Sequence, residues 1–441
     1  MSDRAFGRSR QLAERLSALV PGGAHTYAKG ADQYPLLSPA IIERGEGCRV
    51  WDADGNEFIE YGMGLRSVAL GHAFGPVVDA VRSSLDLGTN FTRPASIELT
   101  AAESFLDLID YAEMVKFTKD GSSATTAALR LARRATGRDQ VAICADHPFF
   151  SYDDWFIATT TAAGGIPARE AASVARFTYN DVDSLRDVFD RNPGQIAAVF
   201  MEPARTEEPA PGFLEGVREL CTANGTVLVF DEMITGFRYD LRGAQHKYGV
   251  TADLSTFGKA LANGFSCSAL CGSQELMEYG GRRRPDDDVF LLSTTHGAET
   301  PALAAMIATV EVYRTQPVIE HLHRQGEVLA AGLREVAARH GLADHVYPVG
   351  FPCNLLFATL GPDGRPSQEW RTLFLQETIR RGILMPSLVV SYSHDDAAVD
   401  ATLGAIDGAL EVYARAMHAG SVDGLLVGSP SRPVFDRRWP S

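Results

Sequence analysis

The run TFGKALANGF at 256–265 sets a single lysine, Lys259, among small and apolar neighbours with no acidic residue beside it. Lysine usually keeps its ammonium in water. Two local readings compete: a buried stem whose head reaches solvent, and an amine held where water is scarce. In the second case desolvation lowers the ammonium pKa and leaves a free amine near neutral pH, able to form a Schiff base with a carbonyl. Twenty-eight positions earlier (259 − 231), Asp231 closes the apolar run TVLVFD. A carboxylate at the end of a buried strand needs a cationic partner to stay charged. A helix-capping aspartate fits the same letters. In FTKDGSSATTAALRLARR at 117–134, Gly121 and Ser122 lead into a helix whose face is marked by Ala124, Ala128, Leu131, Ala132 and Ala135. Free N–H groups and the helix dipole make such a start fit for a phosphate. Read alone, it is also an ordinary serine cap.

The three features together are more specific than any one of them. A phosphate cradle, a carboxylate for a ring nitrogen and a Schiff-base lysine are the fixed points that pyridoxal 5'-phosphate requires. No histidine or cysteine spacing suggests a metal: the eleven histidines form no HExxH, and Cys267 and Cys271 are not at a tight ligand spacing. Cys48, Cys144, Cys221, Cys267, Cys271 and Cys353 read as buried free thiols.

These residues need a scaffold. The 441-residue chain is too long for one simple core. Short apolar runs at 114–118, 140–145, 196–202, 226–232 and 268–272 alternate with helical stretches, which indicates a mostly parallel sheet covered on both faces. Ligands collect at the carboxyl ends of such strands. A polar helix over 5–19 and a hairpin over 48–62 precede this block; a long helix and an α+β region follow it. The expected division is 1–75, 76–318 and 319–441, with both chain ends forming a smaller α+β domain beside a large one. The Pro- and Arg-rich tail, SPSRPVFDRRWPS, reads as irregular. A net charge of −15 argues against nucleic acid as a partner. The absence of a long apolar run argues against a membrane span, and the N-terminus lacks a signal core, so a cytoplasmic protein is expected.

VFDEMITGFR followed by TFGKALANGF resembles the signature of class III pyridoxal-phosphate aminotransferases of fold type I, most closely the glutamate-1-semialdehyde aminomutase group. VPGGAHT, ALGHAFGPVVDAV, AALRLARRATGR and HGAETPALAA follow that group in order, over about residues 20–420. The resemblance implies an α/β fold with a mostly parallel central sheet and a homodimer with shared active sites. It makes Lys259 the Schiff-base lysine, Asp231 the pyridinium partner, and Gly121 and Ser122 the phosphate cradle. It implies that Thr295 reaches the phosphate across the dimer interface, that Phe149 or Phe150 stacks on the ring, and that Glu207 faces the substrate. Solvated-loop and core-packing readings stand beside the last two.

The departures bear on the substrate. The usual Asn-Ser-Gly-Thr-Glu turn is Lys119-Asp120-Gly121-Ser122-Ser123 here, and the Ser and Arg that bind the aminomutase substrate's carboxylate appear as Thr26 and Lys29. The group's tryptophan appears as Leu65, next to Arg66. MGLRSVALGH and HGAETPALAA resemble instead the branch that aminates oxidised sugars in aminoglycoside antibiotic biosynthesis, of the neomycin and gentamicin type. That resemblance implies transfer from a donor such as glutamate to the C6' aldehyde of an amino sugar. The aminomutase reaction, and epimerisation or elimination on an aminoglycoside, are the alternatives. A non-catalytic binding protein is disfavoured by Lys259.

Overall fold

The computed structural model describes residues 4–147, 149–284 and 289–432. Two compact units emerge, one of Met1–Phe74 with Glu320–Ser441 and one of Gly75–Ile319. Most of the tail expected to be irregular, 433–441, lies outside the described residues.

The first unit opens with a helix at Gly7–Leu19 and three antiparallel strands, β1 (Ile42–Glu46), β2 (Arg49–Asp52) and β3 (Glu57–Glu60). The β2–β3 turn is held by Asp52, whose Oδ1 accepts the N–H groups of Asp54 (3.0 Å) and Asn56 (2.7 Å). A short polar side chain that closes its own turn explains why the DADGN segment makes a hairpin.

The second unit is built on β4 (Met114–Thr118), β5 (Gln140–Cys144), β6 (Val174–Phe177), β7 (Ile196–Met201), β8 (Val227–Asp231), β9 (Leu254–Phe257) and β10 (Ser268–Gly272). They form one sheet in the order β4-β10-β9-β8-β7-β5-β6. Only β10 runs against its neighbours. The sheet is buried on both faces, which is why its strands read as unbroken apolar runs. Val227 and Val229 pack with Ala124, Ala128 and Phe200 on one side, and Leu228 and Phe230 with Val199, Val217 and Cys221 on the other. Strand period therefore points Asp231, next in the odd series, to the face that carries the Gly121–Thr136 helix. The strand β6 has no counterpart among the expected runs. Its VARF is short and only Phe177 is buried, so it carries no apolar periodicity to read.

The first unit resumes with the Val318–Arg339 helix, the hairpin β11 (Val346–Val349) and β12 (Leu356–Thr359), and the short β13 (Ile383–Leu384), which adds parallel to β3. Helices Gln368–Arg380 and Asp396–Ala419 complete it. All six cysteines are buried and none is in a disulfide. Among the described residues no histidine, cysteine and carboxylate group could hold a metal, and no helix is long and apolar enough to cross a membrane.

Candidate active site

Because β4 and β9 are both antiparallel to β10, they point the same way, together with β8, β7 and β5. Their carboxyl ends share one edge of the sheet. Gly121 follows β4, Asp231 ends β8, and Lys259 comes two residues after β9.

Asp231 is 4% exposed, deeper than its position at a strand end suggests. Its register partner on β9 is Thr256. Its Oδ1 accepts the Met233 N–H at 2.9 Å and the Thr256 hydroxyl at 3.2 Å. Burial pushes its carboxyl pKa up; the positive charge of Lys259 and these two bonds pull it back down. The two groups therefore act on each other across the ends of adjacent strands.

Lys259 is half-buried rather than sealed in, although Ala260, Leu261 and Ala262 beside it are fully buried. It opens a one-turn 3-10 helix with φ at +46°, and Asn263 leaves that turn at +44°. Left-handed backbone on residues other than glycine costs about 1–3 kcal/mol each and concentrates where a side chain must be aimed. The strain here sits on the residue whose direction would matter most.

Met233 ties the three strand ends together. A Cβ added at Gly121 would lie 2.9 Å from its Sδ, and one at Gly258 would lie 2.6 Å from it and 2.5 Å from Ser268 Oγ. Only glycine fits between the thioether and either loop. Gly121 and Ser122 are the first residues of their helix, so their N–H groups have no intrahelical acceptor. Asp120 caps the helix through the Ser123 N–H at 2.8 Å. Ser122 is 5% exposed, and its hydroxyl oxygen accepts the Tyr152 N–H at 3.1 Å. Lys119 is paired with Glu299 at 2.6 Å.

Of the two phenylalanines, Phe150 is buried in the core against Phe156 and Phe200, whereas Phe149 is 46% exposed with an edge contact to Phe156. Glu207 lies exposed on the loop after β7, and Thr295 is exposed in a loop pinned by Asn90, whose amide donates to the Thr295 carbonyl at 3.0 Å. Thr26, Lys29 and Arg66 belong to the other unit; the first two are exposed, and Arg66 Nε donates to Asn354 Oδ1 at 2.8 Å.

Three residues went unremarked in the sequence. His147 is 3% exposed, and its Nδ1 accepts the N–H of Glu202, itself 4% exposed at the end of β7. Burial holds the His147 pKa down at about 3, so the ring is neutral. Glu202 carried the same signal as Asp231, a carboxylate ending an apolar run. Met233 carried none: its role depends on two glycines distant in the chain.

The family model described as "Aminotransferase class-III" matches residues 27–358. The chain belongs to the class-III aminotransferases. It is 31% identical, over 92% of its length and 99% of the relative's, to the glutamate-1-semialdehyde 2,1-aminomutase 1 of Bacillus cereus (strain G9842). The FumI protein of Sphingopyxis sp. MTA144, solved with pyridoxal phosphate bound, superposes with a TM-score of 0.86 at 30% identity, covering 93% of this chain and 98% of that one. An omega-transaminase from Sphaerobacter thermophilus gives 0.81 at 26% identity, covering 92% and 98%. This class-III aminotransferase has fold type I, is a transaminase, and takes pyridoxal phosphate as its cofactor. The residues present fit that group: a helix start kept free of side-chain bulk by Gly121, and a buried carboxylate whose burial asks for a cation.

Proposed function

We propose that this transaminase moves an amino group from glutamate to an aldehyde of an amino sugar, the C6' aldehyde of an aminoglycoside intermediate. The observation that carries the chemistry is the Asp231–Lys259 pair on the ends of adjacent parallel strands. When bound, pyridoxal phosphate supplies an aldehyde that accepts the amino group and a ring that draws electrons from the substrate Cα. Asp231 would keep a proton on the ring nitrogen; buried and bonded to the Met233 N–H and the Thr256 hydroxyl, its carboxylate is fixed in place to face a cation. Lys259 Nζ would hold the cofactor's aldehyde carbon and, once the substrate's amine has displaced it there, would take the proton from the substrate Cα and deliver it to that aldehyde carbon, two bonds away. The N–H groups of Gly121 and Ser122 bind the phosphate. Phe149 covers a ring face, since Phe150 is committed to the core.

A homodimer with shared sites is part of this reading. Leu85, Leu87 and Phe91 are exposed apolar side chains on the segment whose Asn90 holds the Thr295 loop, so an interface there would bring Thr295 toward a partner's phosphate. Glu207, Thr26, Lys29 and Arg66 are the candidate substrate contacts. Support for an amino-sugar acceptor is the replacement of the aminomutase carboxylate ligands by Thr26 and Lys29, since lysine lacks arginine's bidentate fork. The 31% identical relative named as an aminomutase favours the second reading, rearrangement of glutamate-1-semialdehyde.

One set of assays separates them. Glutamate with a panel of oxidised amino sugars is expected to yield 2-oxoglutarate and aminated sugar, and Lys259→Ala to lose at least about 10³-fold of that rate. Glutamate-1-semialdehyde without an added donor is expected to give little product. Rapid conversion of the semialdehyde with no sugar aminated would replace the first reading by the second. A monomer mass by light scattering would remove the shared site.

A further inference from the structure

The first unit holds a half-open cavity of about 260 Å³ between the Ala31–Gln33 turn, the Met63–Arg66 turn and the Gln368–Arg380 helix. Its polar lining is one-sided. Arg66, Arg371 and Arg432 line it together with the amides of Gln33 and Gln368, and no aspartate or glutamate is among the lining residues. Arg371 is the most telling. Its Nη2 donates to the Pro386 carbonyl at 2.6 Å and its guanidinium lies 4.7 Å over the Phe357 ring. Among the described residues no carboxylate pairs with it. Burial pushes its pKa down, so the protein pays to keep a cation there. The Gln33 amide nitrogen is buried and has no acceptor among the described residues. Arg66 is aimed by a turn in which four successive residues, Met63, Gly64, Leu65 and Arg66, have φ between +43° and +74°.

We propose that this cavity binds the carboxylate of a small organic acid, with the Arg371 fork as its main ligand and the Gln33 amide as a further donor. The planar guanidinium matches a carboxylate bidentately; an anion would give Arg371 the counter-charge that its Pro386 bond does not supply and give the Gln33 Nε2 an acceptor. The volume equals about eight or nine waters at ~30 Å³ each, which suits an acid of four or five carbons. A polycationic amino sugar is repelled by the same lining, so the site separates acids such as an amino donor from a cationic acceptor. The inference rests on the transaminase reading only for which acid is physiological; the site itself needs neither cofactor nor turnover.

The test uses glutarate, which has no amino or keto group to react, titrated calorimetrically into the full-length holoenzyme. Saturable one-site binding is expected, weakened at least tenfold by Arg371→Gln and several-fold by Gln33→Leu. No binding at 50 mM, unchanged affinity in Arg371→Gln, or tighter binding of inorganic phosphate than of glutarate would overturn the assignment. If Arg371→Gln does not fold, Gln33→Leu decides, since an unchanged affinity in that variant overturns the proposal as well. Glutarate raising the KM for glutamate at constant kcat assigns the site to the donor; inhibition that glutamate does not relieve assigns it to a free acid. Failure of the wild-type enzyme to aminate sugars leaves the glutarate titration intact, so the two readings fail separately.

Discussion

Gly121 is where one added carbon has a defined consequence. A Cβ there would meet the Met233 thioether at 2.9 Å, tighter than ordinary contact. Met233 also fills the space beside Gly258 and is 7% exposed, so it has little room to withdraw. Gly121→Ala should therefore shift the loop that carries the two free N–H groups, weakening cofactor retention about tenfold, near 1.4 kcal/mol. Met233→Ala alone should cost stability of roughly 2–4 kcal/mol as a core truncation. The double variant should regain most of the lost cofactor affinity, because the clash is gone. Equilibrium dialysis against pyridoxal phosphate reads all three, and no recovery in the double variant would mean that the loop needs Gly121 for its backbone instead. At this scale the sequence was legible where a residue contradicted its surroundings. Lys259 and Asp231 each interrupt an apolar run, and charge in such a run is informative by itself. Met233, one more apolar residue in an apolar neighbourhood, was not.

The elements show a similar division. Strands β4, β5, β7, β8 and β10 were readable because burial on both faces makes them continuous apolar runs between helices. The left-handed turn at Met63–Arg66 was not. No composition signals it beyond one glycine, and Leu65 at φ +58°, ψ +44° has no intrinsic reason to be there. Such a conformation costs about 1–2 kcal/mol per non-glycine residue, and glycine's extra unfolded-state entropy costs about 0.5–1. Leu65→Gly should then raise stability by about 0.5–1 kcal/mol in urea titrations, since Leu65 is only half-buried and gives up little apolar area. If the strain exists to aim Arg66, the same variant should bind glutarate several-fold more weakly. A variant that is less stable and binds unchanged would leave the turn without either role.

On the scale of the whole molecule, the halves differ in how much of them the sequence disclosed. The unit with the seven-stranded sheet is one unbroken stretch, Gly75–Ile319, so neighbouring letters are neighbouring elements. The other unit joins residues from both chain ends, and the cavity bounded by Gln33, Arg66 and Arg371 has walls some 300 positions apart in sequence. No local pattern announces such a site. Both units do share a titration property. His147 in one and His394 in the other are buried and held neutral, each with its pKa pushed down to about 3 by desolvation. Unfolded, each protonates near 6.5, so the unfolded state binds the proton first and stability falls as pH drops from 6.5 toward 3. At pH 5.5 each ring costs about 1.3 kcal/mol relative to pH 7. Glu232 acts with the opposite sign. Burial raises its carboxyl to about 7, so the folded state takes up its proton above the unfolded range, and lowering the pH from 7 to 5.5 returns about 1.6 kcal/mol. One acid thus offsets about one histidine, and the wild-type curve alone would hide both. The variants separate them. Gln at position 147 can still accept the Glu202 N–H that His147 Nδ1 now accepts, but it cannot titrate. His147→Gln should therefore lose about 1.3 kcal/mol less than the wild type between pH 7 and pH 5.5 in the unfolding of its own unit, followed by urea titration at both pH values. An identical pH dependence in the two proteins would mean that the His147 ring is protonated in the fold, and with it that the pocket between β5 and β7 is not dry.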